Sequence, residues 1–337
     1  MAHGIVAGRA NFGACGLRLG GGLLLLVAAA VAVADDSKPV GVQGPVGCGK
    51  NPKKVSRLQI TKAGVYENFL VDSHWADGNR VKITANDVTL RHCEIRNAGG
   101  NGVGVFGMNV LIEGCKIHHC LAGTFKQQRD AHGITGRWGN VTIRNCEIYH
   151  VSGDCIQFDP DRRSAGRLLV ENCTLYAGPL PADSAGFKRG QRPGENAFDS
   201  KTPPTGPRCK LEFRNCLMHG WNQPGQISLL AALNIKENVD AVITRCLFRD
   251  NQVCFRLRGP TRRGGAQVSI DDCAIYDSMV GVRMEDGLRN LRINRLGVGS
   301  GIDRKIHMLN GPFPGYRNAG EYKPPAFETL QRDGFGP

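Results

Sequence analysis

The sequence is poor in aromatic residues, at 7% of its 337 positions, and holds only three tryptophans. A stacking platform for nucleic-acid bases is therefore missing, although the net charge of +13 would by itself attract a polyanion. There is no Cys-x-x-Cys pair and no His/Cys cluster at zinc-ligand spacing, so the thirteen cysteines do not read as a zinc site. Long stretches of amphipathic helical period are absent too, which leaves strands and turns. The 45 glycines suit many short ones. Long apolar runs are missing, with one exception. Residues 19–34, LGGGLLLLVAAAVAVA, follow Arg9 and Arg18 and end in Ala32-Val33-Ala34, just before Asp35-Asp36. A basic region, an apolar region and a small-residue cleavage site form the layout of an export signal. The run is short for a membrane span. The expectation is a signal peptide over 1–34 and a secreted or periplasmic monomer that keeps no membrane segment.

What the chain does have is a phrase repeated eight times: aliphatic, any, aliphatic, any, any, Cys or Leu, any, aliphatic. The copies begin at Val88 (VTLRHCEI), Val110, Val141 (VTIRNCEI), Leu168, Leu211, Ala241, Val268 and Leu291, at spacings of 22 to 43 residues. Cys93, Cys115, Cys146, Cys173, Cys216, Cys246 and Cys273 hold the sixth place, and Leu296 fills it in the last copy. Strand-like units recurring at this spacing form a stack of coils. Within a phrase, two short strands flank a one-residue corner: His92, Gly114, Asn145, Asn172, Asn215, Arg245 or Asp272. Gly, Asn and Asp tolerate the positive φ that such a corner needs. The cysteine column should point inward as small buried hydrophobes. Side chains in register point the same way, which disfavours bridge torsions, so most thiols should be free. Cys48, Cys120 and Cys209 lie outside the column and are open to pairing.

A third strand precedes each phrase by roughly ten residues: Arg80–Thr84, Gly102–Phe106, Gly133–Arg137, Cys155–Asp159, Ala197–Lys201, Ala232–Lys236, Cys254–Arg258 and Gly281–Glu285. Alternate residues of a strand face outward, which gives two columns. One is Lys82, Gly104, Thr135, Gln157, Asp199, Asn234, Arg256, Arg283. The other is Thr84, Phe106, Arg137, Asp159, Lys201, Lys236, Arg258, Glu285. Lys201, Lys236 and Arg258 then stack at about 4.8 Å intervals. Such a column repels itself, and a bound polyanion would relieve it. The longest gap between copies contains GFKRGQRPGENAFDSKTPP, with Lys188, Arg189 and Glu195. A second insertion, AGTFKQQRDAHG, carries Asp130 and His132 toward the same edge.

Three strands per coil in parallel register resemble the pectate-lyase-like superfamily of right-handed parallel β-helices over about Val55 to Val298. The resemblance implies an all-β solenoid of about eight or nine coils. It divides the chain into 1–34 (signal), 35–70 (N-terminal cap and first strand), 71–298 (helix) and 299–337 (C-terminal cap or tail). The segment ENAFDSK resembles the acidic strand ending in Lys of calcium-dependent β-helix lyases. That resemblance implies Lys201 as a base toward an acidic, uronate-containing polysaccharide. A neighbouring cation lowers a lysine's pKa, and Lys236 is placed to do so. In this reading Lys236, Arg256 and Arg258 take part with Lys201 by neutralising carboxylates. Asn234, Lys188, Arg189, Arg137 and Gln157 bind substrate. Asp159, Glu195 and Asp199 are candidate Ca²⁺ ligands. Three alternatives stand beside it. GDCI at Gly153–Ile156 resembles the GDDC strand of polygalacturonase-like hydrolases, and Asp159 and Asp199 are on the order of 8 Å apart in the expected register, within range of an inverting pair. Asp159-Pro160-Asp161 resembles the Asp-Pro-His-Asp motif of alginate epimerases, with His132 standing in for the missing His. The last is a non-catalytic protein that binds acidic glycans. His118, His119, His150 and His219 read as turn or surface residues. Trp75, Trp138 and Trp221 either stack on sugar rings or cover the cylinder's ends.

Overall fold

A computed structural model describes residues 40–159, 166–202, 206–223, 229–259, 265–312 and 316–318, all within the compact unit Asp36–Pro337. The expected export segment 1–34 and most of the tail lie outside the described residues. Among the described residues no helix is long and apolar enough to cross a membrane.

The phrases fold as the corner chemistry requires. Val141–Arg144 turns at Asn145 into Glu147–Val151, which turns again into Ile156–Asp159; the next coil lays Arg167–Glu171, Thr174–Tyr176 and Asn196–Ser200 upon them in parallel register. Every corner residue named from the sequence has positive φ: His92 (49°), Gly114 (59°), Asn145 (51°), Asn172 (53°), Asn215 (52°), Arg245 (52°) and Asp272 (50°). A second corner row runs through Asn97, His119, His150, Gly220, Asp250 and Asp277, again at positive φ, in keeping with the turn reading of His119 and His150. The third strands form one ten-stranded parallel sheet from Leu58–Ile60 to Ile302–Met308. It is called the site sheet below.

The core is a set of vertical columns. The seven phrase cysteines are buried. Their thiols donate to the carbonyl two residues back and, in most coils, to one in the preceding coil: Cys146 Sγ reaches Arg144 O at 3.2 Å and Ile112 O at 3.6 Å. All described cysteines are free, including Cys48, Cys120 and Cys209. Ile83, Ile112, Ile143 and Val170 are fully buried beside them, each stabilising the fold by about 1.5–3 kcal/mol.

Three expectations need correction. His118 and His219 are not turn residues. They cap a ladder with Tyr149 and Tyr176, with ring centroids 5.0, 4.6 and 5.0 Å apart and planes nearly parallel. His119 and His150 take corner positions, where burial and neighbouring imidazoles push their pKa down to about 4 and about 3. Of residues 35–70, expected as a cap with the first strand, those from Lys53 onward already form several coil strands, with Lys53–Val55 on Phe69–Asp72 and Gly64–Glu67 on Val88–Arg91. Residues 40–50 run back along the flank as a strap, with Gly41 N on Asn215 O and Gly47 N on Gly114 O, both at 2.9 Å. Gly41 sits at φ 94°, and a Cβ there would lie 2.7 Å from Thr174 Oγ1. At the other end the stacking continues past Val298: Ile302–Met308 pairs with Ser278–Met284, and Tyr316–Asn318 with Asn290–Val298.

Both insertions are ordered against each other. Ala122–Thr124 and Gln127–Arg129 form an antiparallel hairpin. Leu121 from this side and Leu180 and Phe187 from the 177–195 loop make a buried cluster, with Phe125 and Ala185 packed on it. Gly194 N donates to Gln128 Oε1 at 3.0 Å. Together they wall the edge at which the site-sheet strands begin.

Candidate functional site

The first expected column is the observed one. Lys82, Gly104, Thr135, Gln157, Asp199, Asn234, Arg256 and Arg283 are consecutive register partners. The second follows at the strand ends, with Arg137 opposite Asp159. Lys201, Lys236 and Arg258 therefore do stack on successive coils.

Their repulsion is relieved from within the fold, which removes that argument for a bound polyanion. Lys236 Nζ lies 2.9 Å from Asp199 Oδ2, and Asn234 Nδ2 donates to Asp199 Oδ1 at 3.0 Å. Arg256 grips Glu285 with two nitrogens, at 2.9 and 3.3 Å, and Arg283 donates to the same carboxylate at 2.7 Å. Arg258 stays looser, 3.9 Å from Glu285, and its buried Nε has no partner. Lys201 is loose as well. Its Nζ is 3.6 Å from Asp159 Oδ1, and a third of the side chain is exposed.

The expected depression of the Lys201 pKa is also overturned. Burial alone would lower it, but the carboxylates of Asp159, Asp199, Asp154 and Asp130 outweigh burial and raise it. Lys236, the neighbour expected to lower it, is neutralised by Asp199 instead. The carboxyl groups shift upward in turn. Burial, then Asp130 and Asp199, raise Glu195; burial, then Asp199 and Glu195, hold Asp154 well above the carboxylate range. Burial raises Asp199 as well, with Lys236 opposing.

The proposed calcium ligands do not fit a site as they stand. Asp159 Oδ1 faces Lys201 and accepts from Gln157 Nε2 at 3.3 Å, and both oxygens of Asp199 are engaged by Lys236 and Asn234. Among the described residues no three His, Cys, Asp or Glu side chains gather closely enough to hold a metal ion.

The remaining expected residues divide by position. Gln157 and Asn234 are buried in the sheet face beside the lysines. Arg137 lies one coil before Asp159 with its guanidinium 5.8 Å over the Phe106 ring. Lys188 and Arg189 are exposed on the long loop, where Lys188 Nζ and Arg189 N both bind Asp183 of that loop, at 2.8 and 2.9 Å. Nothing ties these two to the sheet face. Trp138 and Trp221 are buried rather than offered to sugars. Trp138 Nε1 donates to Lys201 O at 2.5 Å and so fixes the main chain that carries the lysine. Pro160 and Asp161 of the epimerase-like motif lie outside the described residues.

A polar ladder where the site-sheet strands begin was read only in fragments. Asn101, His132, Asp154 and Asn196 occupy successive coils two places before the first inward residue of each strand. His132 N donates to Asn101 Oδ1 at 2.9 Å, Asp154 N to His132 Nδ1 at 2.9 Å, and Asn196 Nδ2 to Asp154 Oδ1 at 2.7 Å. Asp154 Oδ2 is sealed and has no hydrogen-bond partner. The legible signal was the coil register extended two residues upstream. At the other end of the strands, Lys236, Glu237, Arg258, Gly259, Glu285, Asp286 and Leu309 line a cleft of about 290 Å³.

Residues 56–178 match the family model for the right-handed beta helix region. Among solved structures, pectate lyase Pel9A is 14% identical with a TM-score of 0.49, the alignment covering 86% of this chain and 71% of that one. The catalytic domain of a GH87 α-1,3-glucanase in complex with tetrasaccharides is 12% identical with a TM-score of 0.35, covering 86% and 70%. A comparison with curated protein sequences returned no match. The parallel register continues on both sides of the matched region, and the described residues fold as a right-handed parallel β-helix.

Proposed function

We propose that the chain is an exported polysaccharide lyase that cleaves a uronate-containing glycan by β-elimination at the Lys201 face. The observation that carries this reading is the looseness of Lys201. It is a part-exposed amine 3.6 Å from Asp159, in register with Lys236 at the mouth of the cleft. Arg258, with part of its side chain exposed and only a long contact to Glu285, is the guanidinium left to pair with a substrate carboxylate. In its neutral form Lys201 takes the proton next to that carboxylate. The electron pair forms the new carbon–carbon double bond, the β carbon–oxygen bond breaks, and the leaving oxygen takes a proton from solvent, to which Lys201 later returns its own.

A hydrolase reading is favoured by one observation: burial, then Asp130 and Asp199, raise the pKa of Glu195, the direction a general acid needs, while Asp159 stays partly exposed. One assay separates the two. Purified protein is incubated with polyuronates, glycosaminoglycans and neutral glycans across pH, and both ultraviolet absorbance of unsaturated uronate and new reducing ends are followed. A lysine base with a raised pKa must lose its proton to act, so lyase turnover climbs with pH on the alkaline side. A hydrolase that uses protonated Glu195 declines there and gives reducing ends without the absorbance. Binding to acidic glycans with no cleavage of any would leave the binding-protein reading. A chelator arm tests the calcium expectation: loss of turnover means that the three carboxylates regroup around the ion.

A further inference from the structure

The two ends of the site-sheet strands offer different chemistry across Lys201. Where the strands end, Lys201, Lys236 and Arg258 stack beside the cleft. Where they begin, the wall presents Asp130 and Glu195, and the neutral ring of His132 sits between Asp130 and the buried Asp154. The tautomer of His132 is set by its neighbours. Nδ1 accepts the Asp154 amide proton at 2.9 Å, so the ring proton resides on Nε2. His132 is 4% exposed, and Nε2 has no hydrogen-bond acceptor among the described residues. Its nearest carboxylate is Asp130 Oδ2 at 3.9 Å, and unlike Asp154 Oδ2 it is not sealed from solvent. Glu195 is half-buried and makes no side-chain hydrogen bond among the described residues. This edge therefore holds one free neutral donor and two free carboxyl acceptors.

We infer that the sugar unit bound against this wall is uncharged, so that the glycan is a heteropolymer pairing each uronate with a neutral sugar rather than a homopolyuronate. The inference rests on the lyase reading for the place of the uronate. A second uronate at the wall would set its carboxylate against Asp130 and Glu195, and like charges at such range repel. The hydroxyls of a neutral sugar both donate and accept. They satisfy Glu195 and Asp130 as acceptors and His132 Nε2–H as donor, without burying an unpaired charge.

The test measures affinity by calorimetry for two oligosaccharides of equal length, a homouronate and an alternating uronate–neutral sugar chain. The alternating chain should bind at least about tenfold more tightly, equivalent to about 1.4 kcal/mol. Glu195→Lys should shrink or reverse that ratio. His132→Asn keeps an acceptor for the Asp154 amide but loses the outer donor, and should weaken the alternating chain alone. His132→Gln carries an amide to the position of Nε2 and should restore it, an outcome that a merely structural role for His132 does not give. Thermal unfolding of each variant confirms that it is folded. Equal or tighter binding of the homouronate, or a ratio unmoved by Glu195→Lys, overturns the inference. If the preference holds and neither oligosaccharide yields unsaturated product, the lyase reading fails and the pairing stands.

Discussion

Lys201 carries the chemistry of the proposal, and its environment sets the terms. Lys201→Ala should lower turnover by at least about a hundredfold, the usual worth of a general base, while thermal unfolding stays within about 2 °C of the parent. Lys201→Arg should not rescue it, since a guanidinium does not give up its proton in this range. A variant that keeps its rate sinks the assignment. Asp154 makes a separate case. Its carboxyl is fully buried, its Oδ2 has no partner, and its pKa is raised chiefly by burial. A carboxyl that holds its proton more tightly when folded favours the fold at low pH. As pH rises past the ordinary carboxylate range the unfolded chain ionises freely, so stability falls until the folded group ionises too. Asp154→Asn should flatten that decline and raise stability near neutral pH by about 1–3 kcal/mol, the scale of one unsatisfied buried polar atom. Chemical denaturation at several pH values reads both. The positions of Lys201, Asp159 and Asp199 were legible because outward residues alternate strictly in a strand. The sign of the Lys201 shift was not, because Asp199 neutralises Lys236 and, with Asp159, acts on Lys201 most strongly, a pairing that strand alternation does not assign; Asp154 and Asp130 add to it from corners and insertions.

Elements differ in how openly the sequence declares them. The first corner row was legible because a one-residue turn between strands needs positive φ, and Gly, Asn and Asp mark it. The second row was obscured because His119 and His150 occupy it, and His is a weaker signal for that conformation. The strap over 40–50 carries no repeat, and its hydrogen bonds go to coils more than a hundred residues away, such as that of Asn215. The two insertions were read correctly as lying at the site edge, but their mutual packing depends on Leu121, Leu180 and Phe187 meeting across separate coils. Phe187→Ala should cost about 3–5 kcal/mol locally. It should open the 177–195 loop to protease while the main unfolding transition barely moves, because the coils beneath do not depend on the loop. Glycan affinity should fall in parallel, since Glu195 ends that loop. Protease resistance equal to the parent's would show that the wall does not need this cluster.

At the scale of the whole molecule, stability is distributed along a stack in which the strands of each coil pair only with those of its neighbours, while the strap and the insertions reach further. The cysteine column is part of that stack. Thirteen cysteines in a chain proposed to be exported invite a disulfide framework, yet the register argues for thiols, because side chains stacked in parallel point the same way instead of toward one another. All twelve described cysteines are free, and eleven of them are buried. The phrase thiols are occupied as donors to carbonyls of their own coil and, in most coils, of the one before, as with Cys216 on Arg214 and Val170. Cys48 alone among them is partly exposed, and burial with the nearby Glu94 carboxylate raises its pKa and slows it as a nucleophile. An aromatic disulfide reagent should therefore label the native protein slowly and at Cys48 within the described region, and should label the whole column only on unfolding. Reductant should leave the unfolding temperature unchanged, whereas loss of a native disulfide typically costs about 2–5 kcal/mol. A drop of several degrees with reductant would mean that the column is cross-linked, and that the coils are held by covalent bridges rather than by the burial of small thiols.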